Sequence, residues 1–239
     1  LLLLAALTAA GLLVSGQRSA APSREATGLF TTLPILWNED SDLAASLKPD
    51  QSAHWARALI ADGGRIVPLD VLAAPGAEGP LDAERQLVIA QPRPLSPDEN
   101  VALDLWVRKG GRVLVLADPM LTEESAYPIG DRRRPQSVAL LSPILGRWGL
   151  DVSFDDRQPF GERSVDALGT IVPVNLAGRL TLRKGAACRL VGDGVVAICK
   201  IGKGRAVVLA DAAAIERDDP DGQREKALRN LLAEAFALR

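Results

Sequence analysis

The sequence predicts an α/β fold: a mostly parallel sheet flanked by helices, with a β-rich antiparallel insertion before the last core strand. Three observations lead there. Residues 95–120 (LSPDENVALDLWVRKGGRVLVLADPM) read as a capped helix, a glycine stop and a strand. The runs QLVIA at 86–90, VLVLA at 113–117 and AVVLA at 206–210 are unbroken apolar stretches, which suit strands covered on both faces, as parallel sheets are. Strand-like and helix-like segments alternate through the first half, which calls for right-handed crossovers in one sheet.

In chain order, the first strand is expected at 31–37, followed by a polar turn at 38–42 and a helix over about 52–61 that Gly63 and Gly64 stop. Strands follow at 65–71 and 86–90. The next helix can be read residue by residue. Ser96 and Glu99 form an S-x-x-E capping box with Pro97 at the first helical position. Asp98 and Glu99 suit the positive end of the dipole, and Arg108 and Lys109 the negative end. Ala102, Leu103, Trp106 and Val107 make an apolar stripe, and Gly110 is a natural left-handed terminator. The strand at 112–117 completes the unit.

Beyond Pro119 lies a polar loop, then a short helix that Ser142 and Pro143 start and Gly149 ends. Short runs at 151–154, 170–174 and 179–182, with the hairpin AACRLVGDGVVAICKIGKG, suggest an antiparallel insertion over about 151–204. Residues 205–210 return to the main sheet. Residues 224–237 form an amphipathic helix with Leu228, Leu231, Leu232 and Ala235 on one face. The hairpin holds both cysteines. A two-residue turn at Asp193-Gly194 sets Cys188 opposite Cys199 at a hydrogen-bonded pair, where either a cross-strand disulfide or two reduced core thiols fit.

Residues 1–16 (LLLLAALTAAGLLVSG) carry no charge and suit a signal peptide or a membrane anchor, with 17–29 as a linker and 30–239 as a single domain. A net charge of -2 gives no basic field for a nucleic-acid backbone, and 4% aromatic residues leave few stacking platforms, so nucleic acid is excluded as a partner.

In an open α/β sheet, ligands bind beyond the carboxyl ends of the strands. That rule selects Asn38, Glu39 and Asp40 after the first strand, Gln91 after the third, Asp118 after the fourth and Asp211 after the last. Such acids can bind a cation or act as an acid/base pair, though they also serve as turn formers and caps. Arg132, Arg133 and Arg134 can hold an anion or an acidic partner surface, or stand as a solvated loop. KGGR and GKGR do not match a phosphate loop and lead into strands, so they read as turns. His54 is the only histidine and reads as a packing or surface residue; one imidazole is a poor start for a zinc site, and no metal or cofactor is expected.

The order of strand, helix, GGRVLVLADP, β-rich insert, GKGRAVVLAD and final amphipathic helix resembles the class I glutamine-amidotransferase-like superfold, a Rossmann-like, flavodoxin-type arrangement. More narrowly it resembles GldG-like domains of uncharacterised ABC-type transport systems. That resemblance implies a nucleophilic cysteine after the strand at 113–116 and a histidine after the strand at 206–209 in enzymatic relatives; this chain has Ala117-Asp118 and Asp211-Ala212 there. The resulting expectation is a non-catalytic domain, periplasmic or otherwise extracytoplasmic, secreted or membrane-anchored through its N-terminal segment. It would serve as an accessory to membrane transporter subunits. Two alternatives stand beside it: a divergent hydrolase using the rim acids, with or without a metal, and a periplasmic small-ligand binder.

Overall fold

The computed structural model describes residues 26–37, 54–62, 64–74, 79–81, 84–216 and 218–237. The N-terminal segment and the turn carrying Asn38, Glu39 and Asp40 lie outside the described residues.

The strands are β1 (Thr27–Thr31), β2 (Ile66–Pro68), β3 (Gln86–Ala90), β4 (Arg112–Leu116), β5 (Leu150–Ser153), β6 (Arg163–Ala167), β7 (Thr170–Val174), β8 (Arg179–Leu182), β9 (Cys188–Val191), β10 (Val196–Ile201) and β11 (Gly204–Leu209). The helices are α1 (Ala56–Ala61), α2 (Pro97–Lys109), α3 (Ser142–Arg147) and α4 (Gln223–Phe236). Seven strands form one sheet in the order β2, β1, β3, β4, β11, β10, β9. β2, β1, β3, β4 and β11 pair in parallel, whereas β10 and β9 add antiparallel.

This corrects the expected fold class. The sheet is mixed, and β9 and β10, assigned from sequence to a separate insertion, extend the main sheet instead. Their apolar faces explain it: Ala197 and Cys199 are buried with Val208 and Leu145 on one face, while Val196 and Ile198 are buried with Val207 on the other. Only β5 with β8 and β6 with β7 stand apart, as two-stranded ribbons.

Alternation along the strands divides the core into two layers. Val88, Ala90, Leu114, Leu116, Val207 and Leu209 face α1, α4 and β7. Leu87, Ile89, Val113, Val115, Ala206 and Val208 face α2 and α3. α2 has the capping box read from the sequence: Ser96 Oγ accepts from Glu99 N at 3.2 Å, Ser96 N donates to Glu99 Oε2 at 2.8 Å, and Gly110 ends the helix at φ 125°. Glu99 does more than cap. It also accepts from Arg93 at 2.7 Å and from the Leu72 amide at 3.0 Å, and the Arg93 hydrogen bond leads in holding its carboxyl down at about 2.

The first strand lies at 27–31, upstream of the expected 31–37 and beginning within the expected linker. Its ladder ends where its partner ends: Thr31 pairs Ala90, and Gln91 then turns into the left-handed region at φ 42°. Past that point Pro34 has no amide to donate.

The cysteine hairpin keeps its expected register, with Cys188 opposite Cys199, but not its expected phase. Lys200 N donates to Ala187 O at 2.9 Å, so 187 and 200 form the hydrogen-bonded pair and the cysteines the closer, non-hydrogen-bonded one. The cause is loop length. Val191 and Val196 are the first pair, leaving a four-residue connection built on a 3₁₀ turn at Gly192–Gly194. A disulfide joins Cys188 and Cys199, whose α-carbons are 4.0 Å apart.

Candidate functional site

The parallel strands deliver Gln91, Asp118 and Asp211 to one edge of the sheet, because β3, β4 and β11 are neighbours in register. Leu116 pairs both Ala90 and Leu209, so the residues just beyond them leave the sheet side by side. The strand order reverses direction between β1 and β3, which puts the switch point of the sheet at Thr31 and Gln91, with Asp118 and Asp211 one and two strands further along the same carboxyl edge.

All three side chains are sealed from solvent, with exposures of 0% for Gln91, 1% for Asp118 and 0% for Asp211. Each is committed to backbone groups. Gln91 Nε2 donates to Gln136 O at 2.8 Å and Asp118 O at 3.2 Å, and its Oε1 accepts from Asp118 N at 3.0 Å. Asp118 Oδ1 accepts from Met120 N at 2.7 Å, as an Asp turning its own chain does, and Oδ2 accepts from Ala212 N at 3.2 Å. Asp211 Oδ1 accepts from Ala213 N at 2.6 Å and Oδ2 from Asn175 N at 2.9 Å. Every carboxyl oxygen is therefore occupied.

Desolvation dominates the electrostatics. Burial pushes the Asp118 carboxyl up to about 7, against the opposing pull of the Met120 and Ala212 amides, with the charge of Glu216 adding to the rise. Burial also pushes Asp211 well above the usual carboxylate range, and repulsion from Asp118 is the next cause. Two adjacent acids without a cation cannot both ionise cheaply. Arg224, the nearest guanidinium in the bonding pattern, instead donates to Ala213 O at 2.8 Å and pairs with Glu216 at 3.0 Å and with Glu162.

Sequence reasoning missed Glu216, Asn175 and Arg224. One signal was available for Arg224. It sits four residues before Leu228 on the apolar stripe of α4 and is only 9% exposed, a position where a charge must have buried partners.

The other candidates do not join this site. Arg133 pairs with Asp131 at 2.7 Å and stacks over the Tyr127 ring at 4.1 Å, Arg134 donates to Tyr127 O, and Arg132 is exposed. His54 is buried at 6% and its Nδ1 accepts from Ala56 N at 3.2 Å. The disulfide lies in the sheet margin, with Cys199 opposite Ala206 in the amino-terminal half of β11. Among the described residues no group of three or more histidine, cysteine, aspartate or glutamate residues could hold a metal ion. The cleft nearest the crevice, of about 410 Å³, is lined by Pro34, Glu124, Pro135 and Glu216 among others, and reaches neither Asp118 nor Asp211.

No family model matches the chain, and neither does any curated protein. Solved structures do. The exo-β-1,4-mannosidase Op5Man5 from Opitutaceae bacterium strain TAV5 is similar over 90% of this chain and 36% of its own, with a TM-score of 0.51 and 14% identity. Gan42B, a GH42 β-galactosidase from G. stearothermophilus, is similar over 90% of this chain and 30% of its own, with a TM-score of 0.51 and 13% identity. The cytoplasmic protein STM1381 from Salmonella typhimurium LT2 is similar over 88% of this chain and 96% of its own, with a TM-score of 0.51 and 12% identity. The chain thus spans about a third of the length of the glycosidases it matches.

These findings correct three expectations. The structural likeness is to glycosidases and a Salmonella protein rather than to a GldG-like, ABC-transport or amidotransferase protein, so that resemblance falls. The transport-system role falls with it. The extracytoplasmic, membrane-anchored placement gains no support either: a protein of similar fold is named cytoplasmic, no helix of the described residues is long and apolar enough to cross a membrane, and the segment on which that placement rested lies outside the described residues. At these identities the likeness shows the fold alone: an α/β domain of a kind that also occurs within glycoside hydrolase chains.

Proposed function

We propose that this chain is a non-catalytic α/β accessory domain that works by binding rather than by bond cleavage. One observation carries the reading. The acid pair at the strand ends is sealed, and each of its four oxygens already accepts a backbone amide, so the closed structure presents neither carboxyl to a substrate. General acid/base work needs a group within about 3 Å of the proton it moves.

A second reading, a carboxylate-dependent hydrolase, has one specific support. An Asp held at about 7 beside a second buried acid has the proton affinity that glycosidic acid catalysis uses, and the names of the structural neighbours point the same way.

Hydrolysis of aryl β-mannoside and β-galactoside probes by the purified chain between pH 5 and 8 separates the two. Turnover indistinguishable from buffer supports the binding domain. Turnover that is lost in Asp118→Asn, with the circular-dichroism spectrum retained, overturns it in favour of the hydrolase.

A further inference from the structure

The buried acids are the anchor of everything that covers the crevice. Residues 119–140 form a strap over the carboxyl ends of the strands. Its base closes on itself through Leu121 N to Ser137 O at 2.9 Å, and it is tied down through Ala139 N to Asp118 O at 2.8 Å and Gln136 N to Thr32 Oγ1 at 3.0 Å. Asp118 also holds the strap through the Met120 amide, and holds the segment after β11 through the Ala212 amide. Asp211 holds that segment through Ala213 and the β7–β8 connection through Asn175. Two carboxyl groups thus fasten three segments of chain outside the sheet, of which the one after β11 forms a short 3₁₀ helix at Ala213–Ile215.

The charged and titratable groups facing the pair are few. From the segment after β11 comes Glu216, which accepts from Thr122 of the strap at 3.3 Å and from Arg224 of α4 at 3.0 Å. Glu162, ahead of β6, takes the other side of Arg224. From the segment leading into α1, the Trp55 indole donates to Glu216 O at 2.9 Å, with His54 beside it. No ion pair among the described residues involves Asp118 or Asp211. Among the described residues, what offsets two negative charges here is the four backbone amides alone, and Arg224, the cation of this cluster, is shared between two other carboxylates.

We propose that Asp118 and Asp211 form a proton-operated latch: a proton on the pair keeps the strap closed, and its loss frees the strap and opens the crevice at the strand ends. The step is a simple deprotonation to solvent. Once both groups are charged, like-charge repulsion and the need of each carboxylate for water act together. Both are relieved by the same movement, withdrawal of the strap and the segment after β11. Interior hydrogen bonds of β4 and β11 are untouched, because their partners are strands.

Amide hydrogen exchange by NMR tests the latch. Protection factors, corrected for the intrinsic pH dependence of exchange, are expected to fall at least tenfold from pH 5.5 to 8.5 at Met120, Asn175, Ala212 and Ala213. Those at Val115 and Val208 should hold. Asp211→Asn, which leaves one buried charge without its like-charge neighbour, should weaken the response, and His54→Asn should leave it intact. Unchanged protection across that range, a full response surviving in Asp211→Asn, or its loss in His54→Asn would each overturn the latch. If Asp211→Asn does not fold, carboxyl ¹³C titration of the unmodified protein decides alone. Transitions of the pair near neutrality support the latch, and both carboxyls titrating below pH 5 overturn it.

Discussion

The Asp118→Asn variant gives a sharp test of the energetics, because its effect should change with pH by an amount the structure sets. The Asp118 carboxyl is pushed from 3.8 to about 7, chiefly by burial. A folded-state value above the unfolded one means that the folded protein holds the proton more tightly. That contribution is fully present below pH 3.8 and is lost as pH rises to about 7, because the unfolded chain releases its proton first. Three units correspond to roughly 4 kcal/mol in all, of which roughly 2.5 kcal/mol falls between pH 5 and 8. Asparagine cannot ionise, so it escapes this loss. It has a cost of its own: both Asp118 oxygens accept amides, and the new NH₂ must face either Met120 N or Ala212 N, donor against donor, at about 1–3 kcal/mol. The variant should therefore be the less stable protein at pH 5, and the gap should close by about 2.5 kcal/mol by pH 8. Urea denaturation of both proteins at pH 5, 6, 7 and 8 measures this, since groups that do not interact with Asp118 cancel in the difference, and the easing of Asp211, which Asp118 pushes up, closes the gap in the same direction. A gap that stays constant or widens with pH would refute the assignment of the raised value to Asp118.

Two further outcomes follow from packing. The disulfide closes a loop of sequence separation 11, so Cys188→Ser/Cys199→Ser, or full reduction, should cost about 3 kcal/mol in urea denaturation, and a midpoint unmoved by reductant would show that the bridge does not constrain the chain. Gly204 is the second glycine of GKGR, and a β-carbon there would lie 2.0 Å from Val107 O and 2.3 Å from Gly111 O, both backbone atoms that cannot swing aside. Gly204→Ala should destabilise by roughly 3 kcal/mol or more, while Gly130→Ala, with open space around it and only a φ of 91° to resist, should cost about 1 kcal/mol; equal midpoints for the two would contradict the close approach of α2 to β11.

The sequence was most readable where the determining interactions are local. The capping box of α2 involves residues three apart, and its ends fell where Ser96 and Gly110 put them. The strands at 86–90 and 112–116 were legible because full burial on both faces demands unbroken apolar runs. Legibility failed where a partner sets the answer. β1 stops at Thr31 because β3 stops at Ala90, and nothing in TTLPILW encodes that. The hairpin phase depends on whether two or four residues close the turn, and Asp193-Gly194 fits both. The family label failed for a related reason: an order of strands, helices and Gly-Gly or Gly-Lys-Gly turns is shared by many α/β chains, and the hydrogen-bonded pairing of β9 and β10 with the main sheet is a tertiary fact.

Asp118 shows the same limit in the site itself. Its position at a strand end is topological and could be read in advance, along with that of Asp211. Its chemistry could not, because burial depends on a strap that begins at the next residue and returns through Gln136 and Ala139 to Thr32 and to Asp118 itself. An exposed aspartate at a strand end would be ionised, available to a ligand and unremarkable in its titration. The strap makes it a buried acid with a raised proton affinity and a backbone amide on each oxygen. The interactions that remove it from catalysis are therefore the same ones that couple its proton to the closure of the crevice. A perturbation that exposes Asp118 should lower its proton affinity and loosen the strap together, never one without the other.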